Sequence, residues 1–261
     1  MRLPFVQIDA FADAPFQGNP AAVMPLPAWP DDALLLKIAQ ENNLSETAFL
    51  VTDRSGESDF ELRWFTPAAE VALCGHATLA SGHYILSNDP DREGVRFRTR
   101  QAGVLEVARA AGGYRMALPA WAPTPQSVDD VVAALGVRPV ETLFHDKGYP
   151  VVVVADEAAV LAADPDMAAL NACGPMVAIV TARGKIADVV SRVFCPAFDI
   201  PEDPVTGSAH AVIAPYWAGK LGRDQFSAFQ ASARGGQVGC EVGGAGNDRR
   251  VFLTGNCVTV I

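Results

Sequence analysis

Phe65-Thr66-Pro67, followed by Gly75-His76-Ala77, returns later in the chain as Phe194-Cys195-Pro196, followed by Gly207-Ser208-Ala209. In each copy the pattern indicates a strand that ends at a proline, a loop, and a glycine that opens a helix of small residues. The repeat predicts two similar halves and two helix N-termini related by approximate symmetry. Because strands outnumber helices and do not alternate with them regularly, we expect an α+β fold and not a doubly wound sheet.

A proline-rich stretch near the middle of the chain predicts the boundary between the two halves. It runs Pro119-Ala120-Trp121-Ala122-Pro123-Thr124-Pro125, a composition typical of a linker. We therefore expect an N-terminal half over residues 1–118 and a C-terminal half over residues 126–261.

Periodicity and capping signals predict the main helices of both halves. The predicted helices cover residues 31–43, 75–87, 127–135 and 207–221. Alternating apolar residues around Val95, Leu105 and Tyr114, separated by glycines, predict a three-stranded meander between the second and third helices.

The composition favours a globular protein that acts on small molecules. Half of the residues are hydrophobic (50%), which is enough for a sizeable core, and the formal net charge is −10. An acidic surface repels polyanions, so we expect no nucleic-acid partner. No apolar run approaches the roughly 20 residues of a membrane helix, and the N-terminus resembles a first strand and not a signal peptide. We expect a cytoplasmic protein with no membrane partner.

The sequence lacks the common signatures of metal and nucleotide sites. The five cysteines are widely spaced without C-x-x-C, and neither H-E-x-x-H nor a glycine-rich phosphate loop is present. We therefore expect no metal and no cofactor, and we interpret the cysteines as buried thiols in a reducing compartment.

Helix N-termini bind anions because their first amide groups lack intrahelical partners and lie at the positive end of the helix dipole. Glycine at the first turn allows a ligand to approach the backbone closely. Gly75 and Gly207 are therefore candidate anion-binding positions, although each glycine can also serve the loop alone.

Three polar side chains near these positions are candidates for acid/base chemistry. Glu46 lies where the first helix gives way to an apolar strand, so it is a candidate general acid/base, although most glutamates are solvated surface residues. His76 follows Gly75 and can donate a hydrogen bond or transfer a proton, or simply cap the helix. Asp203 precedes the second helix and can orient a histidine or help to bind the substrate, or be a plain turn residue before proline.

Taken together, the motifs resemble one known family, the phenazine-biosynthesis PhzF-like isomerases. The matching segments, in order along the chain, are Phe16-Gln17-Gly18-Asn19-Pro20-Ala21-Ala22-Val23, Glu41-Asn42-Asn43-Leu44-Ser45-Glu46-Thr47-Ala48-Phe49, Arg63-Trp64-Phe65-Thr66-Pro67 with Glu70-Val71, Leu73-Cys74-Gly75-His76-Ala77-Thr78-Leu79-Ala80, Glu202-Asp203-Pro204-Val205-Thr206-Gly207-Ser208-Ala209-His210 and Arg234-Gly235-Gly236. The resemblance extends from about residue 5 to the C-terminus.

The resemblance implies the fold of diaminopimelate epimerase. That fold has two pseudo-symmetric halves, each a curved, mostly antiparallel sheet or barrel around a central helix, with the site between them. In such folds the last strand can rejoin the first half. The family's phenazine-pathway member moves a proton along the conjugated system of a dihydro-hydroxyanthranilate without a cofactor, and a homodimer is the family expectation.

The resemblance also implies roles for individual residues. Glu46, His76 and Asp203 would be the catalytic residues, with Glu46 transferring the proton. The substrate-binding positions would be Asn19, Gly75, Ala77, Gly207 and Ser208. The backbone amides around Gly75, Gly207 and Ser208 would hold the carboxylate of a small anionic substrate, and Asn19 would contact the substrate.

Two alternatives remain open at this point. The related epimerases and proline racemases use a cysteine before each helix-start glycine. Here Cys74 occupies the first place and Thr206 the second, so a Cys74-dependent epimerase or racemase is the second reading. A non-catalytic, dimeric binding or interaction protein is the third.

Overall fold

The computed structural model describes residues 3–261 of the chain. Its helices are α1 (Asp32–Asn42), α2 (Gly75–Ser87), α3 (Asp129–Leu135), α4 (Glu157–Leu161), α5 (Met167–Ala172) and α6 (Gly207–Leu221). Its strands are β1 (Val6–Ala10), β2 (Asn19–Leu26), β3 (Glu46–Thr52), β4 (Phe60–Phe65), β5 (Glu70–Val71), β6 (Gly94–Thr99), β7 (Val104–Ala110), β8 (Gly113–Pro119), β9 (Thr124–Pro125), β10 (Glu141–His145), β11 (Tyr149–Val153), β12 (Ala178–Arg183), β13 (Val189–Cys195), β14 (Ile200–Glu202), β15 (Gln225–Gln230), β16 (Gly236–Gly243), β17 (Arg250–Gly255) and β18 (Cys257–Thr259). Strands with few helices make this an α+β protein, as predicted.

The chain divides into two compact units. Unit 1 comprises the residues up to Ala117 together with Thr254–Ile261, and unit 2 comprises Leu118–Leu253. The proline-rich stretch that we interpreted as a linker is part of unit 2. Its last two residues form β9, which pairs antiparallel with β10. Proline cannot donate a hydrogen bond to the ladder, and it is tolerated here because β9 is a short strand that forms few ladder hydrogen bonds.

The sheet of unit 1 mixes parallel and antiparallel pairs. Strand β1 pairs antiparallel with both β2 and β18, β2 pairs parallel with β3, and β3 pairs antiparallel with β4. Strand β4 pairs parallel with β6, and β6, β7 and β8 form the predicted antiparallel meander. Because β18 comes from the C-terminal end of the chain, unit 1 is discontinuous in sequence.

Helix α2 lies at the centre of unit 1. It packs against β1, β2, β3, β6, β7 and β18, and its residues from Gly75 to Gly82 are all buried. A helix that is buried around its circumference needs small residues to approach its neighbours closely. A Cβ atom added at Gly82 would lie 2.4 Å from Val107 Cγ1, so glycine at this position allows α2 to contact β7.

The sheet of unit 2 is also mixed, and its central helix is α6. Strands β10 and β11 are antiparallel, β11 and β12 parallel, and β12 and β13 antiparallel. Strand β13 pairs parallel with β15, which continues antiparallel into β16. Helix α6 packs against β11 and β16 and is buried over most of its length. Within residues 3–261, no helix is long and apolar enough to cross a membrane.

Two short helices of unit 2 were not predicted from the sequence. Helices α4 and α5 each begin after an aspartate whose carboxylate accepts hydrogen bonds from first-turn amides: Asp156 from Ala159, and Asp166 from Ala168 and Ala169. These N-caps stabilise helices that are too short for a clear hydrophobic period. The predicted helices over 75–87 and 207–221 have the predicted bounds, whereas the third helix begins later, at Asp129.

Candidate active site

Glu46 is the first residue of β3, and its position is set by the pairing of β3 with β2. Ala21 is the register partner of Glu46, and Asn19 is the first residue of β2. Gly18 precedes Asn19 with φ +62°, and a Cβ atom there would lie 2.1 Å from the carbonyl oxygen of Ala10. Glycine is therefore required at position 18 for the chain to enter β2 at this point.

The carboxylate of Glu46 contacts the imidazole of His76. The distance from His76 Nε2 to Glu46 Oε2 is 3.1 Å, and the side chains are 5% and 12% exposed, respectively. Among the described residues, neither atom has a hydrogen-bond partner other than this contact. The sequence left open whether Glu46 was a solvated surface residue, and the structure places its side chain in a largely buried contact.

The opposite nitrogen of His76 faces a buried amide. Asn19 Nδ2 lies 3.2 Å from His76 Nδ1, and Ser45 Oγ donates to Asn19 Oδ1 over 3.0 Å. Asn19 is 0% exposed. We expected Asn19 to contact the substrate; that contact stays a prediction, whereas the contact with His76 is present in the structure.

Cys74 completes this group at the N-cap of α2. Its Sγ lies 3.6 Å from His76 Nδ1. Burial raises the pKa of the Cys74 thiol, and the charge of Glu46 raises that pKa further, while His76 opposes both effects. Cys74 is therefore a neutral thiol in the resting site, as expected for a buried cysteine.

The protonation of His76 is subject to opposing influences. Burial lowers the pKa of the His76 imidazole, whereas the charges of Cys74 and Glu46 raise it, and the net direction is upward. The carboxylate of Glu46, 3.1 Å from Nε2, is the cause of this upward shift, because the Cys74 thiol is neutral. Asn19 acts in the other direction, because an amide N–H that faces Nδ1 disfavours a second proton on the ring.

Glu46, Cys74 and His76 also bring three possible metal ligands together, with ligand atoms within 4.8 Å of one another. The imidazole lies between the other two groups: Nδ1 faces the thiol and Nε2 faces the carboxylate. A single metal ion binds one nitrogen of a histidine, whereas here the two ring nitrogens contact different groups. The same contacts also link the three groups into a chain that can exchange protons.

The first turn of α2 adds backbone donors beside this group. The helical ladder begins with the bond from Thr78 N to Cys74 O, so the amides of Gly75, His76 and Ala77 precede it. No side chain caps this helix start. An uncapped helix N-terminus next to an acid/base pair can hold the carboxylate of a substrate near the reacting carbon.

The second helix start, in unit 2, carries a separate hydrogen-bond network. Thr206 Oγ1 donates to Asp203 Oδ2 over 2.5 Å, and the Thr206 amide donates to Gln230 Oε1 over 2.8 Å. Gln230 Nε2 in turn donates to the carbonyl of Asp203 over 2.6 Å. Asp203, Thr206 and Gln230 are all buried. The network fixes the loop that leads into α6 and orients the Asp203 carboxylate.

The first turn of α6 resembles that of α2 in its backbone. No side chain caps it, and its ladder begins at His210, so the amides of Gly207 and Ser208 precede it. Burial raises the pKa of Tyr149, and the side chain of Ser208 opposes this shift. Both glycine-led segments thus form the uncapped helix starts that the repeat predicted.

The structure groups the predicted residues within each unit. In unit 1 it brings Glu46, His76 and Asn19 into one cluster at the start of α2. In unit 2 it places Asp203 next to the start of α6. Sequence reasoning missed Ser45, which is adjacent to Glu46 and could have been noticed on that ground. It also missed Gln230, which no local pattern marks.

Comparisons with known proteins give the family of this chain. The family model described as phenazine biosynthesis-like protein matches residues 8–261. An uncharacterized isomerase of Pseudomonas aeruginosa is 48% identical over 257 residues, which is 98% of this chain and 95% of that protein. A human phenazine biosynthesis-like domain-containing protein is 36% identical over 100% of this chain and 98% of its own.

Solved structures agree with this assignment. A phenazine biosynthesis protein of the PhzF family from Enterococcus faecalis superposes with a TM-score of 0.90 at 41% identity, covering 100% of this chain and 98% of that chain. A hydroxyproline epimerase from Agrobacterium vitis shares the fold alone, with a TM-score of 0.61 at 11% identity over 99% of this chain and 90% of its own. The chain therefore belongs to the phenazine biosynthesis-like (PhzF-like) family of isomerase-type enzymes.

Proposed function

We propose that this protein is a cofactor-independent isomerase that moves a proton within a small, carboxylated, unsaturated substrate, with Glu46 as its general acid/base. The observation that carries the proposal is the contact of 3.1 Å between Glu46 Oε2 and His76 Nε2, in which both side chains are largely buried. A carboxylate in such a position can exchange a proton with a bound carbon acid without competition from bulk water.

The proposed reaction is balanced within the substrate. Glu46 accepts a proton from one carbon as its C–H bond breaks, the electron pair shifts along the conjugated system, and Glu46 returns the proton to another carbon. No oxidant, reductant or cofactor takes part. His76 is proposed to stabilise the Glu46 carboxylate through Nε2, and the amides of Gly75 and Ala77 to hold the substrate carboxylate.

The test is substitution of Glu46 by glutamine, which keeps the shape of the side chain and removes its proton exchange. With a dihydro-hydroxyanthranilate as the probe in D2O, we expect the parent enzyme to place deuterium in the product. Glu46→Gln should lower turnover by at least about 10²-fold, the usual contribution of a general acid/base. The exposed Glu41 provides the matched control, and Glu41→Gln should leave turnover unchanged. Full turnover by Glu46→Gln would refute the proposal.

A Cys74-dependent epimerase is the second candidate, favoured by the distance of 3.6 Å between Cys74 Sγ and His76 Nδ1. Two observations weigh against it: Thr206 occupies the place of the second cysteine, and burial raises the pKa of Cys74. Under the leading proposal Cys74→Ser keeps most of its turnover. Loss of turnover in Cys74→Ser, together with retained turnover in Glu46→Gln, selects the epimerase.

Asp203, Gly207 and Ser208 belong to the same proposal as residues that bind the small anionic substrate, with Asp203 as a supporting catalytic group. Asp203→Asn should therefore raise KM or lower kcat while the protein remains folded. We also propose that the protein is a cytoplasmic homodimer. Sedimentation equilibrium tests the dimer directly. The third candidate, a non-catalytic binding protein of the same fold, predicts binding of carboxylated ligands without any solvent exchange.

A further inference from the structure

We propose that Asn19 and Ser45 are positioning residues that hold the neutral ring of His76 as the tautomer with its proton on Nε2, facing Glu46. The tautomer itself follows from contacts in unit 1. Its importance for catalysis rests on the proposed function of Glu46.

Ser45 and the contact with Glu46 together favour one orientation of the Asn19 amide. The Ser45 hydroxyl lies 3.0 Å from Asn19 Oδ1 and 3.1 Å from the carbonyl oxygen of Pro20, and in this orientation it shares its one hydrogen between these two acceptors. In the reverse orientation the hydroxyl would accept from Nδ2, and His76 Nε2 would face Glu46 Oε2 without a hydrogen. With Oδ1 directed at Ser45, the Nδ2 amino group of Asn19 is directed at His76.

The amide then determines which nitrogen of His76 carries the proton. Asn19 Nδ2 has only hydrogens to offer, so His76 Nδ1, 3.2 Å away, must accept. A neutral imidazole that accepts at Nδ1 carries its hydrogen on Nε2. That hydrogen lies toward Glu46 Oε2, at a heavy-atom distance of 3.1 Å.

This tautomer matters for the orientation of Glu46. With the hydrogen on Nε2, His76 donates to Glu46 Oε2 and holds the carboxylate in place. The opposite tautomer would direct two lone pairs at each other across the same contact. A second proton on the ring would face the amino group of Asn19, so Asn19 also opposes conversion of His76 to the imidazolium that the charge of Glu46 favours.

The burial of Asn19 supports a role through His76. The residue is 0% exposed, and its amide is engaged by Ser45 on one side and His76 on the other. Loss of one hydrogen bond of ordinary strength, about 1.4 kcal/mol, that favours one tautomer changes the ratio of the two tautomers by about tenfold. Loss of either contact should therefore be measurable in the ring itself.

The experiment is a 15N NMR titration of histidine-labelled protein from neutral pH upward, which separates a protonated ring nitrogen from an unprotonated one and identifies the tautomer of the neutral ring. The His76 signals are assigned by their loss in His76→Asn. In the parent protein we expect a protonated Nε2 and an unprotonated Nδ1. Asn19→Asp replaces the donor at Nδ1 by an acceptor, so Nδ1 should become protonated. Ser45→Ala should raise the population protonated at Nδ1 by about tenfold.

Asn42 provides the matched control. It lies in the same unit and donates through its amide to Thr47 and Met24, so Asn42→Asp makes the same chemical change away from His76. It should leave the His76 signals unchanged.

Two results overturn the inference. One is an Nδ1 that is still protonated at the upper end of the titration of the parent protein, which means that Asn19 does not hold Nδ1 as an acceptor. The other is an unchanged His76 ring in both Asn19→Asp and Ser45→Ala. Because the parent spectrum alone tests the tautomer, a variant that fails to fold does not obscure the answer. The Glu46→Gln assay is independent of the NMR readout, so failure of the proposed function and failure of this inference are distinguishable.

Discussion

Protonation of His210, a buried histidine of α6, should make the protein much less stable in acid. His210 is 0% exposed, its Nδ1 donates to the carbonyl of Thr206 over 2.8 Å, and its Nε2 has no hydrogen-bond partner among the described residues. Burial lowers the pKa of His210 from 6.5 to about 4, with the bond to Thr206 opposing this shift. The ring is therefore neutral in the folded protein.

The magnitude follows from the difference in proton binding between the folded and unfolded states. Above pH 6.5 both states carry a neutral ring, so His210 contributes no pH dependence to the stability of the protein. As the pH falls below 6.5 the unfolded chain binds a proton that the folded protein does not, and stability decreases until the pH reaches about 4. Since one pKa unit corresponds to about 1.4 kcal/mol, the complete loss is about 3 kcal/mol.

The substitution His210→Asn isolates this contribution. Asparagine places an N–H near the position of Nδ1 and can retain the bond to Thr206, but it does not titrate. Denaturant unfolding gives the stability of each protein at about pH 7 and at about pH 4. We expect the loss of stability between these two pH values to be about 3 kcal/mol smaller in the variant than in the parent protein.

His145 of unit 2 serves as the control, because its ring is only half-buried. Burial also lowers the pKa of His145. His145→Asn should therefore reduce the loss of stability in acid, but only by a small fraction of the reduction in His210→Asn. If His210→Asn and the parent protein lose the same amount of stability over this range, the reasoning about the buried neutral ring is wrong.

Further predictions concern stability at other positions. Gly82→Ala should destabilise the protein by about 1–3 kcal/mol, because the new Cβ would overlap Val107. Gly219→Ala is its helical counterpart in α6; a Cβ there meets no atom within 4 Å, so it should stabilise the protein by up to about 1 kcal/mol. Thr206→Val removes the hydrogen bond to the Asp203 carboxylate and should cost about 1.5–3 kcal/mol, whereas Thr206→Ser should restore most of it. If the m-value of a variant equals that of the parent protein, the shift of its denaturant midpoint measures the predicted change in stability.

The sequence predicted the architecture well where a local pattern was strong. The repeated strand, loop and glycine pattern predicted α2 and α6 with their observed bounds, because both glycines begin helices whose small residues are buried on nearly every side. The α+β class followed from the same pattern. Periodicity could not predict α4 and α5, since helices of 5 and 6 residues depend on their aspartate caps more than on an apolar face.

The candidate site was predictable only as a set of separate residues. Glu46 and His76 were each ambiguous in the sequence, and their contact depends on the register of β3 beside β2 and on the entry of α2 into the sheet. The bonds of Asn19 to Ser45 and His76 could not be predicted, because no periodic pattern indicates which way a buried amide faces. Gln230 is likewise linked to Thr206 only by the folded arrangement of β15 and α6.

The discontinuity of unit 1 has a consequence for synthesis on the ribosome. Strand β18 pairs with β1, and the backbone of Gln7 bonds to both Val260 and Ile261. The segment that closes the first sheet is thus translated after every residue of unit 2. We therefore expect the nascent chain to acquire protease resistance first in the later-made unit, and in the earlier-made one only after Thr254–Ile261 have left the ribosome. Protection of residues 3–117 in a ribosome-bound chain truncated before Thr254 would contradict this order.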